Sequence, residues 1–137
     1  MKHIDVVAAI IFYNELVLCV QRGESKFDYI SKKYEFPGGK VEHGETDEQA
    51  IAREIMEELR LAVKPIKLLT TVEHQYPDFG ISLKCFICTC RSDKITLTEH
   101  INYKWLPIDK ISSLDWAAAD VPAVDILRET YFEKVRR

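Results

Sequence analysis

Glu54, Glu57 and Glu58 stand at i, i+3 and i+4 within the run Arg53 to Leu59, REIMEEL. On a helix this spacing gathers three carboxylates into one sector, where they repel one another unless cations compensate. Mg²⁺ prefers oxygen ligands and keeps several waters, so clustered glutamates that leave room for phosphate oxygens suit it. An ion held in that way neutralises charge developing on bridging oxygens and activates a water. The plainer alternative is a solvated acidic helix face. The neighbouring residues weigh against it. Gly38-Gly39 permits close backbone approach, Glu45 precedes the helix, and Arg53 lies next to Glu54, where a planar guanidinium orients a carboxylate.

These side chains need a helix to carry them and a sheet to hold the helix. Thr46-Asp47-Glu48-Gln49 has the form of a capping box, and no Gly or Pro follows between Ala50 and Leu59, so a helix is expected from about Thr46. Its apolar sector is predicted to comprise Ile51, Ile55 and Leu59 with Ala52 and Met56. Upstream, Ile4 to Tyr13 and Leu16 to Gln21 read as a hairpin turning at Asn14-Glu15, followed by a polar loop from Gly23 to Lys33 and a short strand Tyr34-Glu35-Phe36 that Pro37 and the glycines interrupt. Downstream, Val63 to Gln75 and Ile81 to Arg91 form a second hairpin through a turn with Pro77 early and Gly80 late. Short strands are expected at Ile95 to Thr98 and Tyr103 to Leu106, then a helical turn or two between Pro107 and Leu114. A last helix starts at Asp120, a good N-cap, with Val121, Val124, Ile126, Leu127, Tyr131 and Val135 as its apolar positions. The sum is an α+β fold, a mixed sheet in an α/β/α sandwich.

The 137 residues suit one domain, 1–137, with a substantial core, and no run approaches the length of a membrane span. A soluble, cytoplasmic protein is expected. The formal net charge of −3 excludes a large nucleic-acid surface but admits a small phosphorylated ligand accompanied by a metal ion. Alternation along one strand sets Cys85 on the opposite face from Cys88 and Cys90, which rules out a zinc knuckle and leaves reduced structural thiols.

The stretch from Gly39 to Leu61 resembles the Nudix box, G-x5-E-x7-R-E-U-x-E-E-x-G-U with U aliphatic. Gly39, Glu45, Arg53, Glu54, Ile55, Glu57, Glu58 and Leu61 match at the required spacings, and the second Gly is replaced by Arg60. A Gly there serves the left-handed turn that ends a helix, so Arg60 implies a strain of about 1 kcal/mol at the helix exit, with the carboxylates untouched. Beyond the box, YEFPGGKVE at Tyr34 to Glu42, Glu99 six residues before Trp105, and LDWAAADVP at Leu114 to Pro122 are similar to the MutT and CTP pyrophosphohydrolase branch of that family.

This resemblance implies the Nudix fold and hydrolysis of a nucleoside triphosphate to monophosphate and pyrophosphate, with water attacking the β-phosphorus. Glu54 would be the general base, oriented by Arg53. Mg²⁺, for which Mn²⁺ is a possible substitute, would be held by Glu57, Glu58, Glu99 and the carbonyl of Gly38, with Glu54 also in its shell. The residues alone leave the base open among the glutamates. Arg22 corresponds to a nucleotide-contacting arginine of the branch, against the alternative of a surface ion pair. Lys40 would meet phosphate or neutralise Glu45, Phe36 and Phe79 would stack on a base or belong to the core, and Lys32 and Lys33 would attract the triphosphate or merely solvate their loop. Trp105 and Trp116 are assigned to the core, and His43, His74 and His100 to ordinary polar roles.

Asp120 occupies the place where MutT has Asn. An ionised Asp only accepts hydrogen bonds, which suits the amino group of cytosine, whereas a buried, protonated Asp both donates and accepts and suits an oxidised guanine. The base is therefore open between 8-oxo-dGTP-type nucleotides and CTP or dCTP, with a broad housekeeping pyrophosphatase as another reading. A non-catalytic nucleotide sensor is the alternative from a different class. The partner implied is a small nucleoside triphosphate, with no stable nucleic acid and no membrane, and the protein is a monomer or homodimer.

Overall fold

The computed structural model of the chain describes residues 2–136, with side chains described as far as Tyr131; Val135 of the expected apolar set lies outside them. Strands β1 (Lys2–Tyr13) and β2 (Leu16–Gln21) form the first hairpin. Asn14 and Glu15 both have positive φ, 48° and 66°, the backbone that a two-residue turn between right-twisted strands requires. Two short strands follow, β3 (Tyr34–Glu35) and β4 (Gly38–Lys40), and then helix α1 (Asp47–Leu59). The second hairpin is β5 (Val63–Gln75) with β6 (Phe79–Cys90), and the chain ends with β7 (Asn102–Pro107), two 3₁₀ turns (Ile108–Ser113 and Ala118–Asp120) and helix α2 (Val121–Arg136).

The sheet is mixed. Its order is β3-β2-β1-β6-β5, with β4 beside β1 and β7 beside β2. β1 runs parallel to β6 from Lys2↔Phe79 to Phe12↔Thr89, and the remaining pairs are antiparallel. Alternation along β1 and β2 divides their side chains between two cores. Val7, Ala9, Ile11, Leu18 and Val20 face α1 and bury Ile51, Ile55 and Leu59, each apolar side chain contributing roughly 1.5–3 kcal/mol. Ala8, Ile10, Val17, Cys19 and Cys85 face α2, against Ala123, Val124 and Leu127. Cys85 and Cys88 fall in opposite cores, and Cys19, Cys85, Cys88 and Cys90 are all free thiols. The α+β, α/β/α architecture matches the expectation.

Four local expectations change. Ala52 and Met56 are exposed; the sheet lies on the other flank of the Ile51–Ile55–Leu59 stripe, so Ala50 and Glu58 are buried instead. Val121 likewise faces outward. Gly38–Lys40 is not an interruption but the ladder strand β4, because Gly38 fits against β1 where a Cβ would lie 1.9 Å from the Val7 carbonyl oxygen. Finally, Ile95 to Thr98 forms no strand. Its backbone donors go instead to the end of α1, Thr96 N–H to the Leu59 carbonyl at 3.0 Å and Thr98 N–H to that of Glu58 at 3.1 Å.

Candidate active site

Helix α1 starts as its sequence demands. The Thr46 hydroxyl accepts the Gln49 N–H at 3.1 Å and the Gln49 side chain accepts the Thr46 N–H at 2.9 Å, a complete capping box. The helix ends at Arg60, whose φ of 55° and ψ of 37° place a non-Gly residue in the left-handed region, with its N–H on the Met56 carbonyl. Between these ends the helix presents Arg53, Glu54, Glu57 and Glu58.

Arg53 is the hub. Its Nε and Nη2 donate to the two oxygens of Glu45 at 2.6 and 2.9 Å, Nη1 donates to Glu54 at 2.9 Å, and Nη2 also reaches the Lys40 carbonyl at 3.1 Å. A weaker contact of 3.4 Å ties Nη1 to Glu57. The bidentate fork and the Glu42 N–H together hold the Glu45 carboxyl down to about 2. Lys40 thus offers its carbonyl to the hub, and the partner of Glu45 is Arg53. Gly39 is placed so that a Cβ would lie 2.4 Å from the Glu54 carboxyl carbon, so any side chain there would displace the Glu54 carboxylate. Gly39, Glu45, Arg53 and Glu54 are therefore a set of mutual contacts rather than separate markers.

Glu58 turns inward from the same helix and is 6% exposed. Burial, with the proximity of Glu54, Glu99 and Glu35 acting in the same direction, pushes its carboxyl up to about 9. Its Oε2 is buried without a hydrogen-bond partner. This crowding of carboxylates around an orphaned Glu58 oxygen matches the donor chemistry of a hard divalent ion. Among the described residues no three His, Cys, Asp or Glu side chains converge into a closed metal group. Glu57, 59% exposed, leans toward Arg53, and the exposed Glu99 comes from the irregular segment before β7. Such openness suits an ion that retains waters and shares its shell with phosphate.

Beside the carboxylates opens a cleft of about 310 Å³, lined by Arg22, Glu35, Phe36, Gly38, Gly39, Lys40, Phe79 and Asp120, among others. Of the sequence-derived residues, Arg22, Phe36, Gly38, Lys40, Phe79 and Asp120 line this cleft, whereas Arg53, Glu54, Glu57, Glu58 and Glu99 lie outside its lining and adjoin it through Gly39, which packs on Glu54, and through Glu35, whose charge reaches Glu58. Phe36 is a core wall, 3% exposed and packed on Trp116, whereas Phe79 joins Phe27 and Tyr76 in an aromatic group at the cleft's rim. Trp116 is buried and Trp105 half-buried against the α1-side core. Asp120 is buried and accepts the Phe36 N–H at 3.0 Å, so the residue just ahead of α2 turns its side chain toward the cleft wall. Burial, reinforced by Glu35, raises its carboxyl well above the ordinary range, although the Phe36 N–H and Arg22 oppose the shift. Lys33 bridges to Asp115 at 2.8 Å and Lys32 lies 3.8 Å from Glu24, so Lys33 pins its loop rather than standing free.

Two site residues escaped sequence reasoning. Glu35 accepts Arg22 Nε at 3.0 Å on one oxygen and contacts His100 Nε2 at 3.0 Å on the other, and the His100 side chain is only 5% exposed. Arg22 is consequently both a cleft residue and one half of an ion pair. The acidic residue beside Phe36 was the only available signal for Glu35, and nothing in the sequence distinguishes His100 from the other histidines.

With this geometry in view, the comparisons are specific. The NUDIX domain family profile matches residues 2–125. The 8-oxo-dGTP diphosphatase of Escherichia coli K12 is 28% identical over 130 residues, covering 93% of this chain and 98% of that protein. The CTP pyrophosphohydrolase of the same organism is 29% identical over 125 residues, 91% of each chain. The solution structure of the DNA mismatch repair protein MutT from methicillin-resistant Staphylococcus aureus 252 is 41% identical, covers 94% of this chain and 99% of that one, and superposes with a TM-score of 0.70. The box contacts, the sandwich fold and a profile match over most of the length agree: the chain belongs to the Nudix family of hydrolases.

Proposed function

We propose that this Nudix hydrolase is a Mg²⁺-dependent nucleoside triphosphate pyrophosphohydrolase of the MutT kind, releasing monophosphate and pyrophosphate and serving to clear modified nucleotides from the pool. The observation that carries this reading is the junction of two features. An Arg53-organised carboxylate set with a buried, unpartnered Glu58 oxygen adjoins, through Gly39 and Glu35, a cleft walled by aromatic and apolar side chains. Glu57, Glu58 and Glu99, with Glu54 and the Gly38 carbonyl, would hold the ion. When bound, the ion neutralises phosphate charge and lowers the pKa of a coordinated water. Glu54, fixed by Arg53 at 2.9 Å, accepts the proton from the water that attacks the β-phosphorus. Lys40 and Arg22 face the anionic substrate from the cleft wall, Phe36 and Phe79 flank the base, and Asp120 reads its edge.

For the base, the burial of Asp120 beside Glu35 favours a neutral carboxyl group that both donates and accepts, as an oxidised guanine requires. The name of the Escherichia coli 8-oxo-dGTP diphosphatase supports the same choice. An ionised Asp120 would favour cytosine nucleotides, which the name of the second Escherichia coli relative supports. A pyrophosphate-release screen of ordinary, methylated and oxidised nucleoside triphosphates with Mg²⁺, ranked by kcat/KM, decides between them. An 8-oxoguanine nucleotide is expected to rank first; preference for CTP or dCTP would favour the second reading, and nucleotide binding without pyrophosphate release would make the protein a sensor.

A further inference from the structure

Glu99 belongs to neither a helix nor a strand, yet its charge reaches the buried Glu58. What brings it there is a docking event at the exit of α1. The last carbonyls of a helix lack internal partners, and α1 has no basic residue in its last turn to meet them. The segment Thr96 to Thr98 meets them instead. The single proton of the Thr98 hydroxyl is shared between the carbonyls of Glu57 and Glu58, which lie 2.9 and 3.0 Å from its oxygen, in addition to the two backbone bonds that Thr96 and Thr98 make to Leu59 and Glu58. On the other side of Glu99, His100 is bound to Glu35 at 3.0 Å and the Ile101 N–H to the Gln21 carbonyl at 3.0 Å. Glu99 is thus suspended between two anchors, and the first of them is made to the backbone of the two glutamates with which it must act.

We infer that Thr98 is a positioning residue for the metal site: its hydroxyl locks the register of Glu99 against Glu57 and Glu58. This rests on the proposed metal role of those three glutamates. A hydroxyl that fixes two carbonyls on one carboxylate-bearing helix turn determines where the next side chain along the chain can reach. Loss of that bond removes no carboxylate but lets the segment that carries Glu99 drift. Groups that orient metal ligands are typically worth 10–100-fold in metal affinity.

The test is a Mn²⁺ titration of the nucleotide-free enzyme followed by water proton relaxation, with thermal unfolding in parallel. Thr98→Val is expected to weaken Mn²⁺ binding on the order of tenfold. Thr98→Ser, which restores the donor, should return binding to the wild-type range, and nucleotide KM at saturating metal should stay unchanged in both. Glu99→Gln is the control for the underlying reading. If Glu99→Gln weakens Mn²⁺ binding while Thr98→Val only lowers Tm, Thr98 is a helix cap and the inference falls alone. If Glu99→Gln leaves the titration unaltered, the metal role of Glu99 falls, and the inference with it.

Discussion

Glu58 combines burial with anionic neighbours, and that combination dictates how the protein responds to pH. A carboxyl raised from 4.5 to about 9 retains its proton in the folded state over a range where the unfolded chain has lost it. Its contribution to stability is therefore complete below about pH 4.5 and declines as pH rises toward 9. In EDTA, Tm is expected to fall across that window, Glu58→Gln should flatten the fall, and Mg²⁺ should raise Tm most at the alkaline end. A wild-type Tm independent of pH in EDTA would contradict the burial argument. Glu45 has the opposite sign. Arg53 and the Glu42 N–H depress its carboxyl from 4.5 to about 2, so its contribution is present above pH 4.5 and lost as pH falls toward 2. In turnover, Glu57→Gln and Glu58→Gln are each expected to lower kcat by about 100-fold or more with circular dichroism unchanged, since each removes a charge proposed to hold the ion. Near-normal kcat in both would remove the metal assignment.

Helix α1 is specified unusually well at its start and poorly at its end. Thr46→Ala should cost about 1 kcal/mol by breaking the capping box, measured as a shift in the denaturant midpoint. Arg60, at φ 55°, sits where Gly is free of strain, so Arg60→Gly is expected to gain on the order of 1 kcal/mol while leaving kcat within about twofold. An increase in turnover by orders of magnitude would mean that the helix exit governs catalysis directly. The terminal carbonyls of α1 are met from outside the helix, by Thr96 and Thr98. At β4 the constraint is steric. Gly39→Ala would drive a methyl into the Glu54 carboxylate and displace the proposed base.

The sheet assembles one site from segments far apart in the chain. β1 carries β4 on one edge of its first half and β6 on the other, which sets the glycines one strand away from Ile81 and Leu83, and all of them line the cleft. The 3₁₀ turn ahead of α2 then brings Asp120 onto the Phe36 N–H, 84 positions away. In the proposed function, base choice at Asp120, inside the cleft, is thus separated from bond cleavage at the carboxylates that adjoin it. Asp120→Asn preserves the acceptor for Phe36 and adds a permanent donor. It is expected to leave the preference for an 8-oxoguanine nucleotide intact and to lower kcat/KM on cytosine nucleotides about tenfold. An unchanged ratio would remove Asp120 from base recognition.

Local and periodic features were legible in the sequence. The capping box, the Ile51–Ile55–Leu59 stripe, both hairpins and the division of the cysteines follow from hydrogen-bonding groups and side-chain periods that act within a few residues. The Nudix box was also legible, because Gly39, Glu45, Arg53 and Glu54 must touch and their spacing records that requirement. Long-range pairing was not. Segment 95–98 has the composition of a strand but is drawn to unmet carbonyls some 40 residues away, and Glu35 meets His100 across 65 positions with no pattern to announce it. A helix can state in its own sequence where its carboxylates point. Which distant hydroxyl, histidine or aspartate completes the site depends on strand order and on which buried polar groups remain to be satisfied, and both exist only once the sheet has formed.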